Sequence, residues 1–188
     1  MSQSVPDFAY RWRGMLVSIP LVVGIFTTWR EYENAVVTWT VAGVVFAIGL
    51  GIRIWSQQHL HYRLQAKTIL TTTGPYVLAR NPIYIANTLI CLALTVASEK
   101  LWLLPITLLN CCLVFHFVVQ HEERVLANAY GDKYAEFQKQ VPRWLPRLSA
   151  LSKLSWSPSF LGASVKAEAY NLLFLVPMIV KELIEKSA

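Results

Sequence analysis

The chain has 188 residues, of which 55% are hydrophobic and only 15% are charged, and its formal net charge is +6. An ordinary soluble domain has about 45–50% apolar and about 25% charged residues, so this composition excludes an ordinary water-soluble domain. The length fits a single domain. Basic residues are spread along the chain instead of forming one basic module, which argues against a nucleic-acid partner.

Four blocks of uncharged residues predict membrane-spanning helices, because a helix needs about 20 such residues to cross a hydrocarbon core of roughly 30 Å. Tryptophan and proline residues at the block ends extend the shorter blocks. We expect spans at about 12–29, 34–55, 82–98 and 101–121. The predicted fold class is an all-α integral membrane protein with about four transmembrane helices, short cytoplasmic helices and a C-terminal amphipathic helix. Residues 1–150 would form the transmembrane domain and residues 151–188 the tail.

Charge predicts the orientation of these spans. Of the seventeen Lys and Arg residues, only Arg30 and Lys100 fall on one side. The positive-inside rule then places both termini and the 53–80 connection in the cytoplasm. The first span lacks a signal-cleavage pattern and is expected to be a retained anchor. Three cysteines fall inside predicted spans without metal-ligand spacing and are expected to be buried small hydrophobic residues: Cys91, Cys111 and Cys112.

Loop lengths predict two helical hairpins. Residues 30–34 join spans one and two, and residues 98–100 join spans three and four, which must therefore be antiparallel neighbours. The second span can continue as a helix beyond residue 55 until the sequence TTTGPY. Pro75 stops it there, because proline disfavours helical geometry at the preceding Gly74 and removes a hydrogen-bond donor.

The region after span four has a different character. A helix is expected to end at Gly131, where glycine favours the left-handed conformation, and a short helix to begin at Asp132. Twelve residues separate Glu168 from Lys181 in the tail. They form about 18 Å of helix, which is too short to span a membrane. An interfacial amphipathic helix is the favoured interpretation, with a protomer contact or a re-entrant helix as alternatives.

Polar residues recur along one face of each of the last two predicted spans. Span four carries them at i, i+4 and i+7: His116, Gln120 and Glu123. Span three carries a second set: Asn81, Tyr84 and Thr88. Polar groups at membrane depth usually face a cavity or a partner, so we predict that both stripes meet in a pocket at the cytoplasmic end. Each signal also has an ordinary explanation, such as a solvated helix end, headgroup anchoring by Arg80 or interfacial tyrosines.

The sequence TTTGPYVLARNPIY, followed about forty residues later by EERVLANAYGDKYAEFQKQVPRWLP, resembles the membrane methyltransferases of the isoprenylcysteine carboxyl methyltransferase and phospholipid methyltransferase superfamily. The resemblance covers roughly Ala47 to Arg147. Asn81 stands where many relatives have histidine, which leaves open any proton-handling role of that histidine.

This resemblance implies S-adenosylmethionine as the methyl donor, bound in a cytoplasm-facing pocket without a metal. The donor-binding residues it implies are Tyr76, Arg80, Asn81, Pro82, Tyr84, Gln120, His121, Glu122 and Glu123. Carboxylates suit the donor's ammonium group, and aromatic faces suit its adenine and sulfonium. Arg143 is the candidate for orienting the acceptor, and Glu122 or Glu123 would remove a proton from an amine acceptor. Glu123 and Arg143 are therefore the catalytic candidates.

The expected acceptor is amphipathic, either an isoprenylcysteine carboxylate or a lipid head group, with its apolar tail entering from the membrane side. Two other functions stay open. Sterol and steroid reductases carry a similar C-terminal series of motifs, so an NADPH-dependent membrane reductase is one alternative. A membrane scaffold without turnover is the other.

Overall fold

The computed structural model describes residues 4–27, 34–66, 69–156 and 160–187. These residues form α-helices, joined by turns and short 3-10 helices, and the described part of the chain contains no β-strand. The helices are α1 (Val5–Phe26), α2 (Ala35–Ala66), α3 (Pro82–Ala97), α4 (Leu104–Tyr130), α5 (Asp132–Gln140), α6 (Leu161–Glu168) and α7 (Leu175–Ser187).

Among the described residues, two segments are long and apolar enough to cross a membrane, namely Ala35–Leu60 and Leu101–Tyr130. They correspond to the second and fourth expected spans. Helix α3 is apolar but has sixteen residues, or about 24 Å of helix at 1.5 Å per residue. Helix α1 begins at Val5, ahead of the start expected near residue 12. The end expected at Trp29 and the connection 30–33 lie outside the described residues.

The helices pack in an order that differs from the two expected hairpins. Helix α3 packs against α4, as expected, but most extensively against α2, whereas α1 packs mainly on α4. Gly49 allows the close approach of α2 and α3, since a Cβ there would lie 2.9 Å from Ile90 Cγ1 and 3.1 Å from the Ala86 carbonyl oxygen. The Asn110 amide of α4 donates a 3.0 Å hydrogen bond to the Leu16 carbonyl of α1.

Helix α4 ends at Gly131 as the sequence predicted, whereas α2 ends at Ala66, ahead of the expected stop at TTTGPY. Helix α2 continues beyond residue 55 to Ala66, and a 3-10 turn follows at Gly74–Val77. Gly74 has φ +59°, and Gly131, which separates α4 from α5, has φ +52°. With ψ −126°, Gly131 has the expected positive φ but not the left-handed helical conformation. Both turns bring polar loops to the same end of the helices.

The tail differs from the expected amphipathic helix. Helix α6 is followed by a 3-10 segment, Ala169–Phe174, and then by α7. Glu168 is 2% exposed, and α6 packs against α2. Leu175 packs against a buried cluster that includes Phe46 and Ile90. The tail therefore packs along α2 through α6 and reaches the buried cluster through Leu175.

Candidate active site

A cavity of about 480 Å³ opens at the end of the helices where the loops converge. Helices α1 to α5 and the turn after α2 all contribute side chains to its lining. Seven of the nine donor-binding residues predicted from the sequence line it: Tyr76, Arg80, Asn81, Pro82, Tyr84, His121 and Glu122. Two members of the span-three stripe, Asn81 and Tyr84, line the cavity beside His121 and Glu122 of α4, whereas the span-four stripe residues His116, Gln120 and Glu123 do not line it.

Glu123 and two arginines form a buried ion cluster beside this cavity. Arg80 Nε donates to Glu123 Oε1 at 3.1 Å. Arg143 donates through Nε to Oε1 at 3.2 Å and through Nη2 to Oε2 at 2.5 Å. Glu123 is 6% exposed and lies behind the lining residues. Its predicted role as a proton acceptor does not fit this geometry, because both carboxylate oxygens already accept from guanidinium groups.

The segment after α5 is held against the start of α3 by the same arginine. Arg80 Nη1 donates to the carbonyl oxygens of Gln138, at 2.9 Å, and Val141, at 2.7 Å, and its backbone N–H donates to Pro142 O at 2.9 Å. Asn81 Nδ2 lies 3.4 Å from the Arg143 carbonyl oxygen. Arg80 is thus engaged by the protein's own acceptors and forms part of the cavity wall.

Tyr84 and Glu122 present a polar pair to the cavity. The Tyr84 hydroxyl donates to Glu122 Oε1 at 2.6 Å, and its ring packs against Phe115 with centroids 5.1 Å apart. Glu122 also lines the cavity. Unlike Glu123, it presents a carboxylate to the cavity, so it is the better-placed group to meet a cationic ligand.

His121 is anchored by the first helix, which the sequence patterns did not indicate. Its Nδ1 lies 2.7 Å from Asp7 Oδ1, and its ring stacks on Tyr10 with centroids 4.3 Å apart. Ser4 donates to the other Asp7 oxygen at 2.6 Å. These contacts exist because α1 packs on α4, a pairing for which the sequence carried no motif or spacing.

A second cavity of about 240 Å³ adjoins the first and is mostly apolar. The two share Arg13, Arg53 and Asn87 as lining residues. The rest of the second lining is largely aliphatic and aromatic, including Val17, Leu21, Ile90, Leu94 and Phe115. A cavity of mixed polarity therefore lies next to a mostly apolar one between the helices.

Arg53 stands at this junction with a carboxylate from the tail. Its Nε donates to Glu168 Oε2 at 2.5 Å and its Nη2 to Oε1 at 3.1 Å, while Nη1 contacts Asn87 Oδ1. A guanidinium inside an apolar helix bundle needs such a counter-charge. The tail supplies it from 115 positions further along the chain.

The larger cavity is lined by a buried hydroxyl and by aromatic rings that suit a polar ligand. Thr71 Oγ1 is buried and has no hydrogen-bond partner among the described residues, although Thr71 lines the cavity. Burial, followed by the nearby Glu123 carboxylate, raises the pKa of Tyr134 to about 12, so its hydroxyl stays neutral. Tyr76, Tyr134 and Phe137 supply aromatic surface.

Some predicted residues lie elsewhere. Gln120 Nε2 is 2.7 Å from His116 Nε2 in an exposed pair on α4, and Gln120 does not line either cavity described above. Cys91 and Cys111 are buried as expected, but Cys112 is exposed, so that expectation was wrong for Cys112. Within the described ranges, no three His, Cys, Asp or Glu residues are grouped as metal ligands.

The fold and the cavities together define a helical protein with membrane-spanning candidates and a cavity of mixed polarity beside a mostly apolar one. Residues 14–133 match the phospholipid methyltransferase family. Because this match covers more than half of the chain, the protein belongs to that family. The resemblance inferred from the sequence motifs is confirmed.

Two relatives carry names that refer to metal resistance. One is the cobalt-zinc-cadmium resistance protein CzcN of Cupriavidus metallidurans, which is 31% identical over 64% of this chain and 61% of its own length. The other is the nickel-cobalt-cadmium resistance protein NccN of Alcaligenes xylosoxydans xylosoxydans, 26% identical over 93% of this chain and 81% of its own length. The chain thus spans less than two thirds of the first relative. No solved structure matches the chain.

Proposed function

We propose that the protein is an integral membrane methyltransferase that uses S-adenosylmethionine and acts on an amphipathic acceptor, either a lipid head group or an isoprenylcysteine carboxylate. The observation that carries this proposal is the pair of adjoining cavities, which share Arg13, Arg53 and Asn87. A volume of about 480 Å³ is within the range of roughly 300–1,000 Å³ that is usual for small-molecule sites. The adjoining apolar cavity offers space for an acceptor tail.

The residues of the larger cavity fit the chemistry of the donor. S-adenosylmethionine supplies a methyl group on a sulfonium, together with an ammonium, a carboxylate and an adenine. Glu122 can hold the ammonium by a charge-assisted hydrogen bond, and Tyr76 or Tyr134 can pack on the adenine or the sulfonium. Arg13 lines both cavities and can meet an anionic group. Catalysis would rest mainly on holding the acceptor in line with the methyl group.

The membrane arrangement is part of the proposal. Helices α1 and α3 would cross together with α2 and α4, giving four spans with both termini and the larger cavity on the cytoplasmic side. Their apolar lengths are shorter than the usual span, which a membrane accommodates by local thinning or by Trp, Lys and Arg side chains at its surface. The basic residues near the cavity end are consistent with this side facing anionic lipid head groups.

Calorimetric titration of the purified protein tests the donor. We expect S-adenosylmethionine to bind and NADPH not to bind. Glu122→Gln should weaken donor affinity about tenfold or more, since a hydrogen bond to a charged group contributes about 1.5–3 kcal/mol. Glu136→Gln, an exposed carboxylate on α5, is the matched control and should leave affinity unchanged. Binding of NADPH alone would support a reductase, and binding of neither compound would support a scaffold.

The acceptor is tested by transfer of a radiolabelled methyl group. Vesicles of phosphatidylethanolamine offer an amine on a lipid, and N-acetyl-S-farnesylcysteine offers a carboxylate on a prenyl chain. Label in either product identifies the class of acceptor. Because the relatives' names refer to metal resistance, a deletion strain should also be compared with its parent on cobalt, nickel and cadmium salts, and complemented with the Glu122→Gln variant.

A further inference from the structure

The Asp7–His121 pair has the geometry of a general base and its orienting carboxylate. Asp7 Oδ1 accepts at 2.7 Å from Nδ1 of His121. This contact favours the tautomer with the proton on Nδ1 and leaves the lone pair on Nε2. The described residues provide no hydrogen bond to Nε2, and His121 lines the larger cavity with a side chain that is 25% exposed.

Three further contacts hold this pair in place. Ser4 donates to the second Asp7 oxygen, the Tyr10 ring stacks on the imidazole, and Arg124 Nη1 lies 3.6 Å from Asp7 Oδ1. Hydrogen bonds from Ser4 and then His121 lower the pKa of Asp7 below its ordinary value. Asp7 therefore stays a carboxylate at neutral pH and can stabilise an imidazolium beside it.

The two glutamates predicted to act as bases are less suitable. Glu123 is buried and bridges two arginines. Glu122 accepts from Tyr84, and a carboxylate is the group that best fits the donor's ammonium. His121 also lines the cavity, and histidine is the side chain that most often serves as a general base.

We propose that His121 is the general base of methyl transfer, that Asp7 positions it, and that the acceptor group therefore carries a proton, as an amine, hydroxyl or thiol does and an ionised carboxylate does not. This inference rests on the proposed methyltransferase function. The acceptor's proton passes to His121 Nε2, and the lone pair so released forms the bond to the methyl carbon. The carbon–sulfur bond breaks with its electrons on sulfur, giving a neutral thioether, and the imidazolium later releases its proton to water.

The Asp7–His121 contact can be tested by a measurement that needs no methyl acceptor. The chain has four histidines, so ¹⁵N-histidine NMR in lipid nanodiscs can assign His121 from the spectrum of His121→Gln. We expect the Nδ1–H tautomer in the native protein and its loss in Asp7→Asn. An Nε2–H tautomer in the native protein would overturn the proposal, whether or not any acceptor is methylated.

Kinetics with phosphatidylethanolamine vesicles test the chemistry. General bases contribute about 10²–10⁴-fold, so His121→Gln should lower kcat at least about 100-fold while donor affinity by calorimetry stays within about twofold. His116→Gln makes the same change on the same helix, in an exposed residue outside both cavities, and should leave kcat unchanged. A His121→Gln variant that loses donor affinity, or that keeps its kcat, contradicts the role as a base.

The split between kcat and donor affinity separates Asp7 as a positioning residue from a merely structural one. Asp7→Asn should lower kcat with phosphatidylethanolamine vesicles, because an amide no longer orients the His121 ring or stabilises the imidazolium, while donor affinity by calorimetry stays within about twofold. An unchanged kcat, or a loss of donor affinity, would contradict the pairing.

Two negative results have different meanings. If the native protein binds no S-adenosylmethionine, the proposed function fails, and the tautomer measurement still decides whether the pair exists as described. If it binds the donor and methylates N-acetyl-S-farnesylcysteine but not phosphatidylethanolamine, the methyltransferase stands and the general base is wrong, because a carboxylate needs none.

Discussion

Two buried glutamates each neutralise arginine in this protein, but they join different parts of the chain. Glu123 links α4 to Arg80, just before α3, and to Arg143, after α5. Glu168 links the tail to Arg53 of α2. The first cluster forms one wall of the larger cavity, and the second stands where the two cavities join.

The surroundings of the two carboxylates differ in how firmly they hold the ion pair in place. Around Glu123, the Arg80 side chain also binds two backbone carbonyl oxygens, so the charge cluster and the loop conformation depend on each other. Around Glu168, α6 is eight residues long. The following α7 exposes several apolar side chains, including Leu183 and Ile184 at 62% each. The tail should therefore separate from α2 at a smaller free-energy cost than is needed to disrupt the Glu123 wall.

The largest effect is expected for Glu123→Gln. This change leaves Arg80 and Arg143 facing each other without a counter-charge, and removing one partner of a buried ion pair destabilises by about 3–5 kcal/mol. The free energy of unfolding in mixed micelles, followed by circular dichroism, measures the loss. Glu136→Gln removes a carboxylate that lies 3.8 Å from Lys139 on the surface and should change stability by about 0.5 kcal/mol or less. If Glu123→Gln lowers the free energy of unfolding by as little as Glu136→Gln does, the cavity wall around Arg80 and Arg143 does not depend on the Glu123 charge.

An intermediate effect is expected for Gly74→Ala, at the turn where the tail meets α2. A Cβ at Gly74 would lie 2.2 Å from His59 Nε2. The ring cannot easily move, because it also contacts Thr73 Oγ1 at 2.8 Å and the Ser155 carbonyl oxygen at 3.2 Å. We expect a loss of about 3 kcal/mol, combining an unfavourable φ with overpacking.

Gly131→Ala is the matched control for this clash. Gly131 also has a positive φ, of +52°, but a Cβ there meets no described atom within 4 Å. Its expected cost is about 1–2 kcal/mol, from the backbone alone. Equal losses for the two alanine variants, measured by the same unfolding assay, would show that His59 yields to the new methyl group and that the turn is not tightly packed.

The Glu123 region was largely predictable from the sequence, and the reason is local. A three-residue connection forces α3 and α4 together, and helical spacing then decides which polar residues face one another. Arg80 and Asn81 immediately precede α3, and Glu122 and Glu123 lie on α4. The short connection and the helical spacing are therefore enough to predict that these residues lie close together. The hydrogen bonds of Val141 and Pro142 to Arg80 were not predictable in this way.

The contacts of α1 and the tail were not predictable, because they depend on packing between distant segments. Loop length suggested that α1 would pair with α2, whereas α1 packs on α4 and brings Asp7 to His121, 114 positions away. From the sequence alone, Glu168 is interpreted as the charged residue at one end of an apolar segment of the tail. Burial against Arg53 cancels that charge, and no periodicity in the sequence identifies a partner so far away.

A smaller effect than that of Glu123→Gln or Gly74→Ala is expected for Glu168→Gln, and it should be local. Arg53 keeps its contact with Asn87 and is 18% exposed, so the loss should be about half of the 3–5 kcal/mol expected for a fully buried pair. Hydrogen exchange should increase in α6 and much less in α3 and α4, because segments with few buried contacts open separately from the core. The reversed pair, Arg53→Glu with Glu168→Arg, should restore slow exchange in α6. If exchange in α6 is unchanged in the single variant, then apolar packing such as that of Leu175 holds the tail, and the charge serves only to neutralise Arg53.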